Sequence, residues 1–444
     1  MNKHLSVTLC LLLFVSVGGA QTLTLDSCRR LAVNNSKTIK VAQEKINAAR
    51  YERKAARSLY FPALDFNAMY FHNQHNVSLF GHSDLLPAIS SLLTFDVRNV
   101  YAGALTLTQP VFTGGKIMTL NRMADRAGKI ATYEYENTVQ NIEYQVNEAY
   151  WTVVSLQSKC TLADSYVSLL DTLLYNVNEM YLQGVATKSD CLTVEVKSSE
   201  ARLAQLKANN GLSLAKMALA QLCGLDISDD FEIADDLSVE NESALMANSV
   251  DIEDVYDRRR DIRILTTAVD LSRQNERLVL SDMLPKLAVI GAYTFTNPNM
   301  IDGFENRFGG GFSIGATLSV PLWHWGGNYN KLRSAKAQTS VSQLVLEDAE
   351  EMVELQVRQA KQQLKEAESA VKIADKNLSL AEENMRNANI GFEEGVVAVD
   401  VVLAAHTAWQ QANAEAIDSR IALKLGALHL QKVMGEMLDY RELL

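Results

Sequence analysis

The sequence predicts an α+β membrane protein in which three copies share a 12-stranded β-barrel, four strands from each chain, continued by a long antiparallel coiled-coil α-barrel. Two observations lead to this fold class. A seven-residue apolar repeat runs unbroken for about fifty residues and then returns in the other half of the chain. Ahead of each copy, short segments alternate large apolar residues with small or polar ones, which is typical of strands with two different faces.

The N-terminus is expected to be a secretory signal peptide, residues 1–20. Lys3 provides the positive charge, Leu5 to Val17 the apolar stretch, and Gly18-Gly19-Ala20 a cleavage site of small residues. Beyond it, no apolar run reaches the roughly 18 residues of a membrane-spanning helix. The sequence therefore predicts an exported chain without a helical anchor.

Composition excludes several functions. The net charge of -11 over 444 residues argues against a nucleic-acid partner, which requires basic surfaces. The sequence contains no phosphate loop, zinc-ligand spacing or nucleophile elbow, so we expect no enzyme, no cofactor and no metal site.

Four cysteines follow the signal peptide, Cys28, Cys160, Cys191 and Cys223. Their wide spacing is not that of a disulfide framework. Cys160 lies on the apolar repeat, where we expect a buried thiol. Whether any of the four cysteines form a disulfide stays open.

Two structural repeats, 21–250 and 251–444, are expected. The first contains a helix, two strands, a long helix, a return helix and an acidic equatorial segment, and the second has the same order without that segment. In each, the first helix ends at an apolar residue and a proline, Phe61-Pro62 and Leu284-Pro285.

The predicted strands are residues 63–70, 101–108, 287–296 and 312–320. A soluble amphipathic sheet is one interpretation, but alternating segments in an exported chain favour an outer-membrane barrel whose apolar face meets lipid. Because four strands cannot close and an open sheet edge is not tolerated in lipid, copies must share the barrel. Two copies give 8 strands, a barrel filled by side chains, so three copies and 12 strands are the smallest water-filled conduit.

Each second strand leads into a proline and glycine junction. The first contains Pro110, Gly114 and Gly115, and the second contains Pro321, Gly326 and Gly327. The glycine pairs supply the backbone freedom for a strand to turn directly into a helix.

The long helices are predicted at 116–182 and 328–391. At 1.5 Å per residue each extends roughly 100 Å, which is sufficient for the wall of a tunnel across much of the periplasm. Their predicted apolar seams are Tyr135, Val139, Ile142, Val146, Ala149, Val153, Leu156, Cys160, Ala163, Val167, Leu170, Leu174, Val177 and Tyr181, and Val353, Val357, Ala360, Leu364, Ala367, Val371, Ala374, Leu378, Ala381, Met385, Ala388 and Phe392.

This order of parts, duplicated across the mature chain, resembles the TolC-like outer-membrane efflux proteins. The matching stretches are 23–36, 109–116 and 395–435. The resemblance implies a homotrimer in the cell outer membrane with a long periplasmic extension. It implies the exit channel of a tripartite efflux or type I secretion system, gated at its periplasmic tip. A periplasmic adaptor and an inner-membrane pump or secretion transporter would be the partners, and outer-membrane lipid the surroundings.

The resemblance also implies site residues. Asp190, Asp400, Glu393 and Glu394 would line the periplasmic gate, although solvated charges at helix ends are the alternative. The adaptor-docking tips would be Gly184-Val185 and Gly395-Val396. Family members often carry an arginine shortly after the second-tip glycine, where it locks the tip through a salt bridge. Val396 and Val397 stand there instead, so that lock is not expected.

Two other functions remain open from the sequence. A periplasmic coiled-coil adaptor or scaffold without a pore would explain the apolar repeats, but not four alternating segments and two junctions. A surface adhesin would need a large outer domain, for which the loops at 72–100 and 297–310 are short. The cargo, whether drugs, metal ions or proteins, is not indicated by the sequence.

Overall fold

A computed structural model describes residues 21–75, 77–78, 94–95, 98–228, 231–234, 251–299 and 305–437. The expected signal peptide and most of the acidic segment lie outside them. In chain order the elements are β1 (Gln21–Leu23), α1 (Leu25–Asn35), α2 (Lys37–Ser58), β2 (Ala63–His72), β3 (Val77–Ser78), β4 (Thr94–Phe95), β5 (Asn99–Phe112), α3 (Lys116–Leu182), α4 (Lys188–Cys223), β6 (Phe231–Ile233), α5 (Ile252–Arg258), α6 (Arg260–Ser281), β7 (Lys286–Asn297), β8 (Gly309–Ser319), α7 (Gly327–Glu393) and α8 (Val399–Val433).

The chain divides into two compact units. The helical unit comprises Met1–Ile39, Thr138–Arg258 and Glu354–Leu444, and the sheet unit comprises Lys40–Asn137 and Arg259–Val353. Each unit takes segments from both halves of the chain, because each long helix begins in the sheet unit and ends in the helical unit. The predicted repeats, 21–250 and 251–444, divide the chain along its sequence and stay a prediction.

The sheet unit contains a four-stranded antiparallel sheet in the order β2-β5-β7-β8. The predicted strands are confirmed: three lie within β2, β5 and β7, and the fourth matches β8, which ends at Ser319 rather than at residue 320. β2 and β8 are the two edge strands, so each has one side without a partner strand in this sheet.

One face of this sheet is covered with exposed aromatic and aliphatic side chains. Phe66 and Phe295 stack with ring centroids 6.2 Å apart, across Gly103, where an added Cβ would lie 2.3 Å from the Phe295 ring. Tyr70 and Tyr101 form a second pair at 4.9 Å. Exposed apolar residues continue along all four strands: Leu64, Leu105, Leu107, Val289, Tyr293, Phe312, Ile314 and Leu318. The predicted apolar face thus exists, and the described residues of the chain leave it uncovered.

The two long helices have the same length, 67 residues each. The first has its predicted bounds, and the second runs from Gly327 to Glu393 rather than over 328–391. The predicted seam of α7 has no exposed residue, and in α3 only Tyr181 is exposed. Among the described residues, no helix combines the length and hydropathy needed to cross a bilayer.

In the helical unit, successive polar contacts link α4 to α3, α3 to α8, and α8 to α7. The contacts are Arg202–Asp171 at 2.9 Å, Lys159–Asp418 at 2.5 Å and Arg420–Asp375 at 2.8 Å. Because these ion pairs are largely exposed, they contribute little to stability and chiefly show which helices are adjacent. The buried seams between these helices supply most of the packing energy.

α4 and α7 each carry a second apolar surface that the sequence reasoning missed. We call these surfaces the α4 strip and the α7 strip. Both are exposed and lie opposite the buried residues of the same helix, at spacings that keep them on one helical face. The α4 strip is Leu192, Val196, Leu203, Leu206, Leu214 and Met217, and the α7 strip is Val341, Leu344, Val345, Met352, Leu355, Ile373 and Leu380.

The N-terminal segment is fastened to the helical unit. β1 pairs in parallel with β6 over Gln21–Leu23, and the Arg29 Nε donates to Asn147 Oδ1 at 2.9 Å. Glu143 is buried beside them, 3.9 Å from Arg29. Burial raises the pKa of its carboxyl to about 7, although the Arg29 charge acts in the opposite direction. This polar cluster fixes the position of α1 against α3.

Candidate functional site

The predicted tips are two tight helix-to-helix turns. At the first, Gly184 has φ +74°, a left-handed conformation that favours glycine. Its N–H donates to Tyr181 O at 3.0 Å, and the N–H groups of Val185 and Ala186 both donate to Met180 O. These bonds satisfy the last carbonyls of α3 and end the helix. The Val185 side chain, 69% exposed, lies at the end of the turn.

The second tip repeats this geometry. Gly395 has φ +73°, and its N–H donates to Phe392 O at 3.0 Å. Val396 and Val397 both donate to Gly391 O, and Val396 is 80% exposed. An added Cβ on Gly391 would lie 2.5 Å from the Val397 side chain. Gly391 is therefore required for the close packing of this tip, a role that sequence reasoning missed.

The tips differ in how the returning helix begins. α4 starts with a capping box: the Asp190 N–H donates to Thr187 Oγ1 at 3.2 Å, and Asp190 Oδ2 accepts from the Thr187 N–H at 2.8 Å. α8 has Ala398 at the same position and no side-chain cap. Asp190 is the third residue of its helix, whereas Asp400 is the second residue of α8. The two aspartates therefore do not occupy equivalent positions.

The acidic residues predicted for the gate all lie at helix ends. Asp400 is exposed, and its Oδ1 accepts from the Val401 N–H at 3.0 Å. Glu393 is the last residue of α7, and Glu394 follows it; both are exposed. Hydrogen bonds from Thr187 hold the pKa of Asp190 below its usual range. The structure thus gives Asp190 a helix-capping role, while Asp400 lies on a groove between α4 and α8 with Thr193, Lys197 and Leu403.

The tips rest on a shared apolar cluster from all four helices. Its buried members are Leu170, Leu173, Val177, Cys191, Val194, Ala201, Ala388, Phe392, Val399, Val402, Leu403 and Ala405. His406 is buried next to it, 2.7 Å from Asn389 Oδ1, and burial lowers its pKa to about 4. His406 is therefore neutral at physiological pH and acts as a packing residue.

The capping box leads to a prediction for the first tip. Thr187→Ala is expected to destabilise the start of α4 by about 1 kcal/mol, because the Asp190 N–H loses its Oγ1 acceptor and the Asp190 carboxylate loses its Oγ1 donor, keeping only the backbone N–H of residue 187. The measurement is amide hydrogen exchange over residues 187–191. Ala398→Thr is the matched control at the second tip and is expected to slow exchange there or leave it unchanged. Equal exchange in the Thr187→Ala variant and the parent protein would contradict the capping role.

The capping box also predicts a pH dependence. The folded-state pKa of Asp190 is depressed, so its contribution is present above the unfolded-state pKa and lost as pH falls through the folded value. The protection factor at the first tip, which corrects for the intrinsic pH dependence of amide exchange, should therefore fall in acid in the parent protein and fall less in Thr187→Ala.

The first strand-to-helix junction combines a bulge and two left-handed glycines. The pairing of β5 with β7 shifts register between Pro110 and Phe112, a position where proline is tolerated in a sheet. Gly114 has φ +62° and Gly115 φ +84°. An added Cβ on Gly114 would lie 2.6 Å from Leu284 Cβ and 2.8 Å from Ser281 O. Gly114 is thus constrained by both its conformation and its surroundings.

At the second junction the structure corrects the expected glycine pair. The left-handed residues are Trp325, φ 50°, and Gly326, φ 76°. Gly327 is already the first residue of α7 and has no positive φ, so it does not supply the predicted freedom. Pro321 lies in the irregular segment after β8. Trp325 is 89% exposed and is held in a conformation that costs a non-glycine residue roughly 1–2 kcal/mol.

The family model described as "Outer membrane efflux protein" matches in two segments, residues 29–225 and 252–436. These segments cover most of the chain. The chain belongs to the outer membrane efflux protein family. The structure of this efflux protein, with a sheet, two 67-residue helices and two tips, agrees with the resemblance seen in its sequence.

Solved structures of outer membrane proteins share the fold of this efflux protein. The outer membrane protein VceC from Vibrio cholerae has a TM-score of 0.77 at 14% identity, covering 93% of this chain and 96% of that one. The CmeC outer membrane channel from Campylobacter jejuni has 0.79 at 15% identity, covering 94% and 88%. The MtrE outer membrane channel from Neisseria gonorrhoeae has 0.76 at 17% identity, covering 93% and 88%. A comparison with curated proteins found no significant match.

Proposed function

We propose that three copies of this efflux protein form the outer-membrane exit channel of a tripartite efflux or type I secretion system. The channel would pass substrates from an inner-membrane transporter and a periplasmic adaptor to the outside, with gating at the periplasmic tip. The observation that carries the proposal is the four-stranded sheet: it has an exposed apolar face, two unpaired edges, and a 67-residue helix starting just beyond each second strand.

The unpaired edges support assembly with further copies. A lipid-exposed sheet edge leaves backbone N–H and C=O groups without partners, at several kcal/mol each, so such an edge must be paired. β8 of one copy would pair with β2 of the next. Since each chain supplies four strands, three copies give 12, and the exposed aromatic and aliphatic face would then surround the barrel and contact lipid.

The two apolar strips support a ring of copies in the helical unit as well. The α4 strip and the α7 strip are found on two different helices of one chain, as a ring of identical copies requires: one surface of a copy meets the other surface of its neighbour. Leucine and valine at spacings of three, four and seven residues suit a coiled-coil contact. We propose that the α4 strip of one copy packs on the α7 strip of the next.

The long helices support a tunnel. A 67-residue helix extends about 100 Å, so a ring of α3 and α7 helices would line a conduit reaching far into the periplasm. Related folds were solved as outer membrane channels, including an open state of MtrE. A similar use is proposed here, with Gly184-Val185 and Gly395-Val396 as the adaptor-docking tips, because Val185 and Val396 are exposed apolar residues at the ends of the turns.

The test of this function is a planar-bilayer recording of the protein purified from outer membranes. We expect discrete conductance steps, together with an oligomer that migrates on a gel without heating and converts to monomer when boiled. A periplasmic adaptor or scaffold would be extracted without detergent and give no conductance. That result would contradict the channel and favour the alternative.

The proposed gate gives a second test. Asp400→Asn is expected to lower the cation preference of the open channel several-fold, because three symmetry-related carboxylates around one axis favour cations and resist anions. Asp190→Asn is the matched control, since the Asp190 carboxylate is engaged with Thr187, and it should leave ion selectivity nearly unchanged. Reversal potentials in a salt gradient measure both. An unchanged reversal potential in Asp400→Asn would reject the proposed ring of Asp400 carboxylates and would leave Glu393 and Glu394 as the proposed gate residues.

A further inference from the structure

We propose that Cys28 and Cys223 form a disulfide bond in the exported protein, covalently joining α1 to the end of α4. The inference rests on the proposed function in one respect: an outer-membrane protein with a periplasmic extension folds in an oxidising compartment. Neither the family match nor the wide cysteine spacing in the sequence indicates this pair.

The two cysteines are far apart in sequence and adjacent in the structure. Both are fully buried, with 0% of their surface exposed. The Cys223 thiol is 3.7 Å from the Cys28 carbonyl oxygen, to which it donates. Hydrogen bonding with the Cys28 thiol, burial and the charge interaction with that thiol all raise the pKa of Cys223. The Cys223 sulfur therefore adjoins the backbone of Cys28 and interacts with its thiol, which brings the two side chains close together.

The surrounding contacts hold the two cysteines in place. Asn35, at the end of α1, donates through Nδ2 to the Cys223 carbonyl at 3.0 Å. Gly224 follows with φ +70°, and an added Cβ there would lie 2.5 Å from Asn35 Cβ. The end of α4 is thus in close contact with the end of α1 at the Cys223 carbonyl and at Gly224, which holds Cys223 beside α1.

The other two cysteines in the described part of the chain serve as internal controls. Cys191 is buried in the tip cluster, with its sulfur 3.8 Å from the Val177 carbonyl. Cys160 is buried on the α3 seam, where desolvation and the Asp164 charge raise the pKa of its thiol. The contacts described for these two residues involve no other cysteine, so both are expected to remain thiols.

The chemistry is a two-electron oxidation. The two thiols lose two protons and two electrons as the S–S bond forms. The acceptor is the disulfide of a periplasmic thiol oxidoreductase, which is reduced to a dithiol through a mixed-disulfide intermediate. Because the thiolate is the attacking species and burial suppresses it in the folded state, oxidation is expected during folding, before α1 packs onto α4.

The test is peptide mapping of the full-length protein taken from cells. Thiols are blocked with N-ethylmaleimide in denaturant without reductant, and the protein is digested with trypsin. The four cysteines fall on four different tryptic peptides, since Arg29, Lys159, Lys188 and Lys216 separate them. We expect a cross-linked peptide containing Cys28 and Cys223, with Cys160 and Cys191 carrying the maleimide. Maleimide on Cys28 and Cys223 to the same extent as on Cys160 and Cys191 would overturn the proposal.

Membrane fractionation of the same sample separates this inference from the proposed function. Free thiols in protein recovered from the outer membrane would reject the disulfide alone. A cross-linked pair in protein found elsewhere would reject the outer-membrane location and keep the disulfide.

As a second measurement, reductant should lower the thermal midpoint of the parent protein and of Cys160→Ser. It should not lower the midpoint of Cys28→Ser/Cys223→Ser, and an equal shift in all three proteins would contradict the bond.

Discussion

Replacing Gly114 with valine is expected to remove nearly all folded protein from the outer membrane. Two costs combine at this position. A β-branched residue at φ +62° is strained by roughly 1–2 kcal/mol. Its Cβ would also lie 2.6 Å from Leu284 Cβ and 2.8 Å from the Ser281 carbonyl oxygen, and such overpacking typically costs about 1–3 kcal/mol. Because part of the clash is with backbone, a change of side-chain conformation cannot relieve it. The measurement is the amount of unboiled oligomer in outer-membrane fractions.

Gly327→Ala is the matched control for this substitution. Gly327 lies at the start of α7, has open space around its Cβ position and does not have a positive φ. An alanine there is expected to leave the amount of oligomer unchanged or to raise it, because alanine is the better helix former by about 1 kcal/mol. An unchanged amount of oligomer in Gly114→Val would show that the junction tolerates a different backbone path, and it would contradict the requirement for glycine at this turn.

Introducing a charge into the α4 strip is expected to abolish the proposed trimer. Leu203→Glu places a carboxylate on the exposed apolar surface proposed to meet the α7 strip of the next copy. Burying a leucine there contributes about 1.5–3 kcal/mol, and burying an unpaired carboxylate instead adds a desolvation penalty. A ring of three copies contains three such contacts, so the free-energy cost of the substitution applies at each of the three. We expect monomer by analytical ultracentrifugation in detergent and no conductance steps.

Ala204→Glu is the control, because Ala204 is also exposed on α4 and lies about 100° around the helix from Leu203, outside the strip. It should assemble normally. A trimeric, conducting Leu203→Glu variant would show that the α4 strip faces something other than a second copy, and the proposed contact between the strips would be wrong.

Much of this fold followed from periodicity alone. The strict seven-residue spacing of Val139, Val146 and Val153 allows only one long helix, and the predicted bounds of α3 match the structure. The alternation along 63–70 likewise fixes the two faces of β2. Both patterns are local and repeat many times, so a single exception does not alter the prediction.

What sequence reasoning missed depends on contacts or on single backbone conformations. The α4 strip has the same composition as a buried seam, and only the structure shows that Val196 and Leu203 have no partner within the chain's described residues. The left-handed residue at the second junction is Trp325 rather than Gly327, because the helix begins one residue earlier than the glycine pair suggests. The adjacency of Cys28 and Cys223 was invisible because it requires the packing of α1 on α4. The roles of Asp190, Asp400, Glu393 and Glu394 stay predictions.

The equal lengths of α3 and α7 impose a constraint on how such a chain can change. The two helices follow strands of the same sheet, and in the proposed channel both tips would meet one adaptor surface. Deleting one seven-residue repeat from a single helix would displace its tip by about 10 Å while keeping its seam in register. The two helices would then differ in length by one repeat. In the proposed channel, insertions and deletions are therefore expected only as matched pairs, in whole repeats, at corresponding places in both halves. A homologue with a longer or shorter reach should differ from this chain by the same number of residues in each long helix, and by a multiple of seven.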